Sequence, residues 1–196
     1  MAFLSAIPRA FLGCRLPDER AFALAERVAS VRRDVDATGL RWVHRDRYHA
    51  TLRFLGPIDA RERANLVAAI APIARASKPV ECRFRAALAL PSWRRAQVIA
   101  VALESSGALE ALAREIELGL RDAFGVADKP FRAHVTVVRV SRARAAALAR
   151  ARARFGALAF DDLDAFVVDE IALFRSDATP DGTHYTAVER FRLGAV

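Results

Sequence analysis

Two short runs of the same design limit what this chain can fold into. One is Tyr48-His49-Ala50-Thr51-Leu52-Arg53-Phe54-Leu55-Gly56, the other Arg132-Ala133-His134-Val135-Thr136-Val137-Val138-Arg139. Each holds a His-x-Thr followed by an apolar residue, in a stretch of strand-forming composition. Side chains along a strand alternate between two faces. His49 and Thr51 therefore point one way and Ala50 and Leu52 the other; His134 and Thr136 are set against Val135 and Val137 in the same manner. Within each run the imidazole and the hydroxyl stand about 7 Å apart, from the rise per residue.

The rest of the chain reads as scaffold for these runs. Residues 9–16 have strand character, and Pro17-Asp18 opens a helix whose apolar positions Phe22, Leu24, Val28 and Val31 recur at helical spacing to about Asp36. Thr38-Gly39 ends it, and Leu40–Val43 is a short extended piece before the first motif strand, 48–55. Gly56-Pro57 reads as a turn. A second helix covers Arg61–Ala76, then two strands, Val80–Leu90 and Val98–Leu103, flank a loop at Pro91–Arg95. A third helix runs from Ser105 to Phe124 and stops at Gly125. The second motif strand, 133–140, precedes a fourth helix over Ser141–Arg154 and final strands near 165–175 and 184–192, joined by a turn at Pro180-Asp181-Gly182. Two similar half-chains follow from this order. The expectation is an α+β fold: one bilobal domain over 1–196, residues 1–8 being a short N-terminal extension, with two pseudo-symmetric lobes, each a mainly antiparallel sheet with outer helices, and a cleft between them.

Facing strands would put two imidazoles and two hydroxyls into one cleft. That set suits cleavage of a phosphodiester without a metal: a neutral imidazole takes a proton from the attacking oxygen and an imidazolium gives one to the leaving oxygen. Threonine hydroxyls can donate to non-bridging oxygens as charge grows there. Zinc usually takes three or four ligands, and neither motif has a second His, Cys or acid at ligand spacing. Nor is there a nucleophile elbow or a Gly-rich phosphate loop. No metal and no cofactor is therefore expected. The net charge of +8 favours an anionic partner, although the basic residues are almost all arginine, Lys78 and Lys129 excepted, a bias that genome base composition also produces. Cys14 and Cys82 give no disulfide framework and read as small buried hydrophobes. No run approaches the roughly 20 apolar residues of a membrane span. Pro8, Arg9 and Arg15 interrupt the start, which does not resemble a signal peptide, so a cytoplasmic protein is expected.

The paired motifs resemble the two-histidine phosphoesterase superfamily, and within it the bacterial and archaeal RNA 2′,3′-cyclic phosphodiesterases, also called 2′-5′ RNA ligases. The similarity runs from Arg9 to Leu193 and includes Leu16-Pro17, Trp42-Val43, Phe54-Leu55-Gly56, Phe131–Arg139 and the final strand with Tyr185. It implies a site between two lobes and hydrolysis of an RNA or nucleotide 2′,3′-cyclic phosphate to a 2′-phosphate, with slow 2′-5′ joining as the reverse. By position in the family pattern, His49 would be the proton donor to the 3′ oxygen, His134 the proton acceptor that activates water, and Thr51 and Thr136 the phosphate holders. Two places depart from the pattern. Ala133 stands where the family usually has proline before the second motif, and Arg15 where the opening strand often has an acid.

Substrate contacts are expected from neighbours of the motifs. Arg53 and Arg132 share the parity of their motif's His and Thr, so each can reach the anion or lie at the surface. Arg139, an odd number of residues from His134, falls on the opposite face of a flat strand, and only a bulge or twist would return it. Tyr185 can meet the substrate or pack between sheets, and Trp93 with Arg94 and Arg95 can stack on a base or plug a loop. His44, His184 and the arginines at 142, 144, 150, 152 and 154 read as surface groups. The expected partner is RNA or a nucleotide with a 2′,3′-cyclic phosphate end, the expected state a monomer without membrane attachment. Other substrates of the superfamily (a cyclic phosphate of ADP-ribose, a 2′-5′ oligoadenylate) and a non-catalytic RNA-binding module are the alternatives.

Overall fold

The structure, a computed structural model, describes residues 6–35, 39–141, 145–179 and 182–194. Parts of two expected turns, at Thr38 and at Pro180-Asp181, and Arg142 and Arg144 at the expected start of the fourth helix lie outside them. The described elements are β1 (Ile7–Arg15), α1 (Asp18–Asp34), β2 (Leu40–Trp42), β3 (His49–Ile58), α2 (Ala60–Ala76), β4 (Val80–Leu90), β5 (Val98–Glu104), α3 (Ala108–Phe124), β6 (His134–Val140), α4 (Ala145–Gly156), β7 (Phe166–Val168), β8 (Glu170–Thr179) and β9 (Gly182–Arg192). Their strands run β7-β4-β5-β6-β3-β1-β8-β9, with β2 beside β6, and every pairing is antiparallel. The fold is α+β, as the alternation of elements predicts.

The first three helices each start for a local reason. Asp18 and Glu19 place acid in the first turn of α1. Asp59 and Glu62 close a reciprocal capping box on α2, each side chain accepting from the other's backbone amide. At α3 the Ser105 hydroxyl accepts from the Leu109 amide, and the chain turns through Gly107 and leaves through Gly125, both at positive φ. The apolar stripe of α3 (Leu109, Leu112, Ile116, Leu120) is buried throughout.

Two expectations change. Gly56-Pro57 is not a turn: β3 runs on to Ile58, with Gly56 at a φ of 80° opposite Ala10 where β1 and β3 slip register. The stretch near 165–175 is not one strand. It breaks at Asp169 because β7 pairs with β4 while β8 pairs with β1 and β9, so one residue carries the chain between two parts of the sheet.

The halves are also interlocked. β2, from the first half of the sequence, pairs with β6, and Trp42 stacks on Phe155 of α4 with ring centroids 6.0 Å apart. The β8–β9 hairpin, from the end of the sequence, completes the sheet around β1. One hydrophobic cluster spans strands and helices of both halves and contains Cys14 and Cys82, both buried. No helix among the described residues is long and apolar enough to cross a membrane.

Gly13, in β1 opposite Thr51, has no room for a side chain, since a Cβ there would lie 2.7 Å from the Ala50 carbonyl oxygen. Gly13→Ala is expected to cost about 1–3 kcal/mol by forcing β1 from β3. Urea unfolding with unchanged midpoint would show that the strands can yield there.

Candidate active site

β3 and β6 meet at a single residue pair, Ala50 opposite Val135, the middle residues of the two His-x-Thr triplets. Both middle residues are buried, and the flanking His and Thr are only half-buried, so these four side chains share the other face. Carrying the antiparallel register one step each way sets His49 across from Thr136 and Thr51 across from His134. The result is a two-by-two array in which each imidazole neighbours the hydroxyl of the other motif.

The two rings are held alike. His49 Nδ1 donates to the Arg47 carbonyl at 2.8 Å, and His134 Nδ1 to the Arg132 carbonyl at 2.7 Å. Each bond fixes the tautomer and leaves Nε2 for a substrate. Behind His49 lies an aromatic support: the ring is 4.9 Å from Phe11 and 4.8 Å from Tyr185, edge-on to the latter. Phe11 in turn stacks on Phe174 at 5.0 Å. Burial under these rings pushes the His49 pKa down to about 4; the hydrogen bond to the Arg47 carbonyl opposes this, and the positive charges of Arg139 and Arg15, with that of His134 when it is protonated, add to it. Burial also lowers His134, with Arg132 contributing. Both histidines are thus neutral at pH 7 in the free protein, in a field that favours an anion.

The flat-strand argument misplaces two arginines for one reason. Each motif strand carries a bulge after its threonine: Leu12 and Gly13 face Arg53 and Thr51, and Ile99 and Ala100 face Val138 and Thr136. Leu52 and Val137 are the extra residues, and the two strands show the same run of half-buried, buried, half-buried, buried, buried, exposed. Beyond a bulge the faces exchange. Arg53, expected to continue the His49 face, instead turns into the protein and is 6% exposed. It pairs with Glu117 at 3.1 Å and donates to the Phe124 and Gly125 carbonyls at 3.3 and 3.0 Å. Arg139, expected on the far face, returns to the site and donates to the Tyr185 hydroxyl at 3.2 Å. Phe54 occupies the corresponding place in β3, is 72% exposed and stands 6.1 Å from Phe11. Sequence reasoning passed over Phe11 and Phe54. The equal offset of Phe54 from His49 and of Arg139 from His134 was the available signal.

Arg132 is exposed beside His134. His44 pairs with Asp46 at 3.1 Å, and His184 lies 3.3 Å from Arg47 Nη2. Trp93 packs partly on the core and lines a groove of about 540 Å3 with Arg94, Leu148 and Arg152. Among the described residues no three His, Cys, Asp or Glu side chains converge as a metal site.

The sequence profile of the 2′-5′ RNA ligase superfamily matches residues 18–180. The chain belongs to that superfamily. Among its relatives is the RNA 2′,3′-cyclic phosphodiesterase of Thermus thermophilus, 30% identical over 192 residues, covering 94% of this chain and 90% of that one. Another, from Aquifex aeolicus, is 27% identical over 193 residues, covering 96% and 98%. In structure this superfamily member is similar to TT0787 of Thermus thermophilus, with a TM-score of 0.77 and 28% identity over 95% of this chain and 98% of that one. It also shares its fold with Escherichia coli LigT crystallised with 3′-AMP, at a TM-score of 0.74 and 22% identity, covering 96% and 99%.

If burial holds His49 neutral, its NMR titration in the free protein should have a midpoint near 4. Adding inorganic phosphate or a 2′-nucleotide should raise that midpoint, because an anion in the site favours the imidazolium. A midpoint at about 6.5 without ligand, the value of an unperturbed histidine, would contradict that burial.

Proposed function

We propose that this superfamily member opens 2′,3′-cyclic phosphates of RNA or nucleotides to terminal 2′-phosphates, with its own side chains supplying acid and base and no metal required. The observation that carries this reading is the two-by-two array of His and Thr around the Ala50–Val135 pair. The names of the Thermus and Aquifex relatives point to the same reaction.

In the proposed step neutral His134 takes a proton from water, whose oxygen attacks phosphorus. The bond from phosphorus to O3′ breaks, and protonated His49 delivers its proton to that oxygen. Thr51 and Thr136 donate hydrogen bonds to the non-bridging oxygens, and the Arg139 guanidinium adds positive charge beside them. With a 5′-hydroxyl in place of water the same groups would join ends: His134 takes the hydroxyl proton, its oxygen bonds to phosphorus, and O3′ leaves with the proton from His49, giving a 2′-5′ phosphodiester and a 3′-hydroxyl. The donor needs a proton that the free site does not hold at pH 7, since burial keeps His49 near 4. The substrate's phosphate anion provides the compensation, so binding takes up a proton.

The sign of the pH dependence follows. The alkaline limb, where the acid's proton is lost, reports the free enzyme in kcat/KM and the complex in kcat. Above a pH of about 6.5, kcat/KM should fall with rising pH with close to a one-proton dependence, while kcat holds to a higher pH. Coincident profiles would contradict proton uptake on binding.

Turnover of a 2′,3′-cyclic nucleotide should persist in EDTA and yield the 2′-phosphate. His49→Ala and His134→Ala should each reduce kcat by about 100- to 10000-fold, the usual worth of a positioned acid or base. A 3′-thio leaving group, which departs without a proton, separates the two roles: it should restore His49→Ala and not His134→Ala. Activity abolished by EDTA, or a 3′-phosphate product, would sink the proposal.

A further inference from the structure

The two motif strands are registered in the sheet ladder at one residue pair, which leaves much of their relation to side-chain contacts. Arg53 begins one residue beyond the bulge in β3 and crosses to the C-terminal end of α3. There its guanidinium is 6% exposed, pairs with Glu117 at 3.1 Å and donates to the Phe124 and Gly125 carbonyls at 3.3 and 3.0 Å. The other Glu117 oxygen accepts the Ala127 amide at 2.7 Å. The groups so gripped are where the chain leaves α3 for His134. From 125 to 133 it has no helix or strand and is mostly exposed, Val126 being 69% exposed. Its far end is tied by the Ala133 carbonyl, which accepts from the Leu103 amide at 3.0 Å, and by Arg132, whose carbonyl holds His134.

We propose that Arg53 and Glu117 are positioning residues: they clamp the loop 125–133 to the first motif strand and so fix His134 relative to His49. The inference rests on the phosphodiesterase reading for its kinetic consequence and on the geometry alone for its structural one. A buried ion pair is a poor device for stability, since well-packed apolar side chains of similar size often serve as well or better. Apolar side chains could fill the same space. They could not grip two carbonyls and an amide at defined places, which is what the pair does here. The arrangement also explains why a cation two residues from Thr51 faces away from the anion-binding side.

The test compares Arg53→Met/Glu117→Leu, which removes both charges and keeps the volume, with Arg53→Lys and the parent protein. The double variant should unfold at a temperature equal to or above the parent's, yet show kcat lowered about tenfold or more with KM changed less than about threefold. Arg53→Lys should recover part of the loss. Hydrogen exchange supplies a readout that needs no turnover: amides of 125–133 should exchange at least about tenfold faster in the double variant, those of β1, β3 and β8 as before. Should the parent not turn over a cyclic phosphate, the phosphodiesterase reading fails and the exchange data still decide the clamp. A folded double variant with parental kcat, or unchanged exchange in 125–133, would overturn it. If the double variant does not fold, the exchange and kcat of Arg53→Lys decide: values equal to the parent's with the donors to Phe124 and Gly125 lost would do the same.

Discussion

One backbone pairing organises this molecule. Ala50 and Val135 bring two strands from distant parts of the chain into register at one point, and everything chemical is arranged about that point. Because their side chains go down into the core, the residues on either side must come up together. Antiparallel register then does the rest, placing each imidazole against the other motif's hydroxyl. The two equivalent triplets differ in their surroundings: aromatic rings bury His49, while an exposed arginine borders His134. Acid and base can arise from the same residue type when environments differ.

Much of this was legible in the sequence. The helices follow from period-3.6 stripes with clear ends, and α3, between Ser105 and Gly125, is the plainest case. The paired triplets announced a shared site because their pattern is short, polar and repeated in matching places. Beyond Thr51 and Thr136 strand parity alone failed: it misplaced Arg53, and Arg139 returns only through the bulge that parity leaves out. Parity assumes a flat strand, and a bulge adds a residue that no composition marks: Leu-Arg and Val-Val look like ordinary strand dipeptides. Arg53 and Arg139 therefore exchanged places with respect to the site. Asp169 was likewise invisible, because a strand that changes partners keeps its apolar composition while its hydrogen bonds go elsewhere.

The bulges tie fold to function. Each adds local twist just after the His-x-Thr triplet, so the strands leave their contact point instead of continuing side by side. A long ladder between β3 and β6 would hold the histidines firmly but close the space above them. Divergence keeps that space open and transfers the holding to side chains, among them Arg53 with its grip on α3. Support for the two triplets lies below and behind them, in the contacts of His49 with Phe11 and Tyr185 and of Arg53 with α3.

The switch at Asp169 has a consequence for how the chain comes into being. β1 leaves the ribosome well before its second neighbour, β8, with the elements from α1 to β7 between them in the sequence. Until Glu170–Arg192 emerge, one edge of β1 has no partner, and Phe11 lacks the Phe174 ring that later covers it. From the emergence of β1 until that of β8 the nascent chain carries an open, apolar edge, the condition under which strands pair wrongly. The His49 side of the site is completed only when the β8–β9 hairpin arrives, and no fragment lacking that hairpin can hold it.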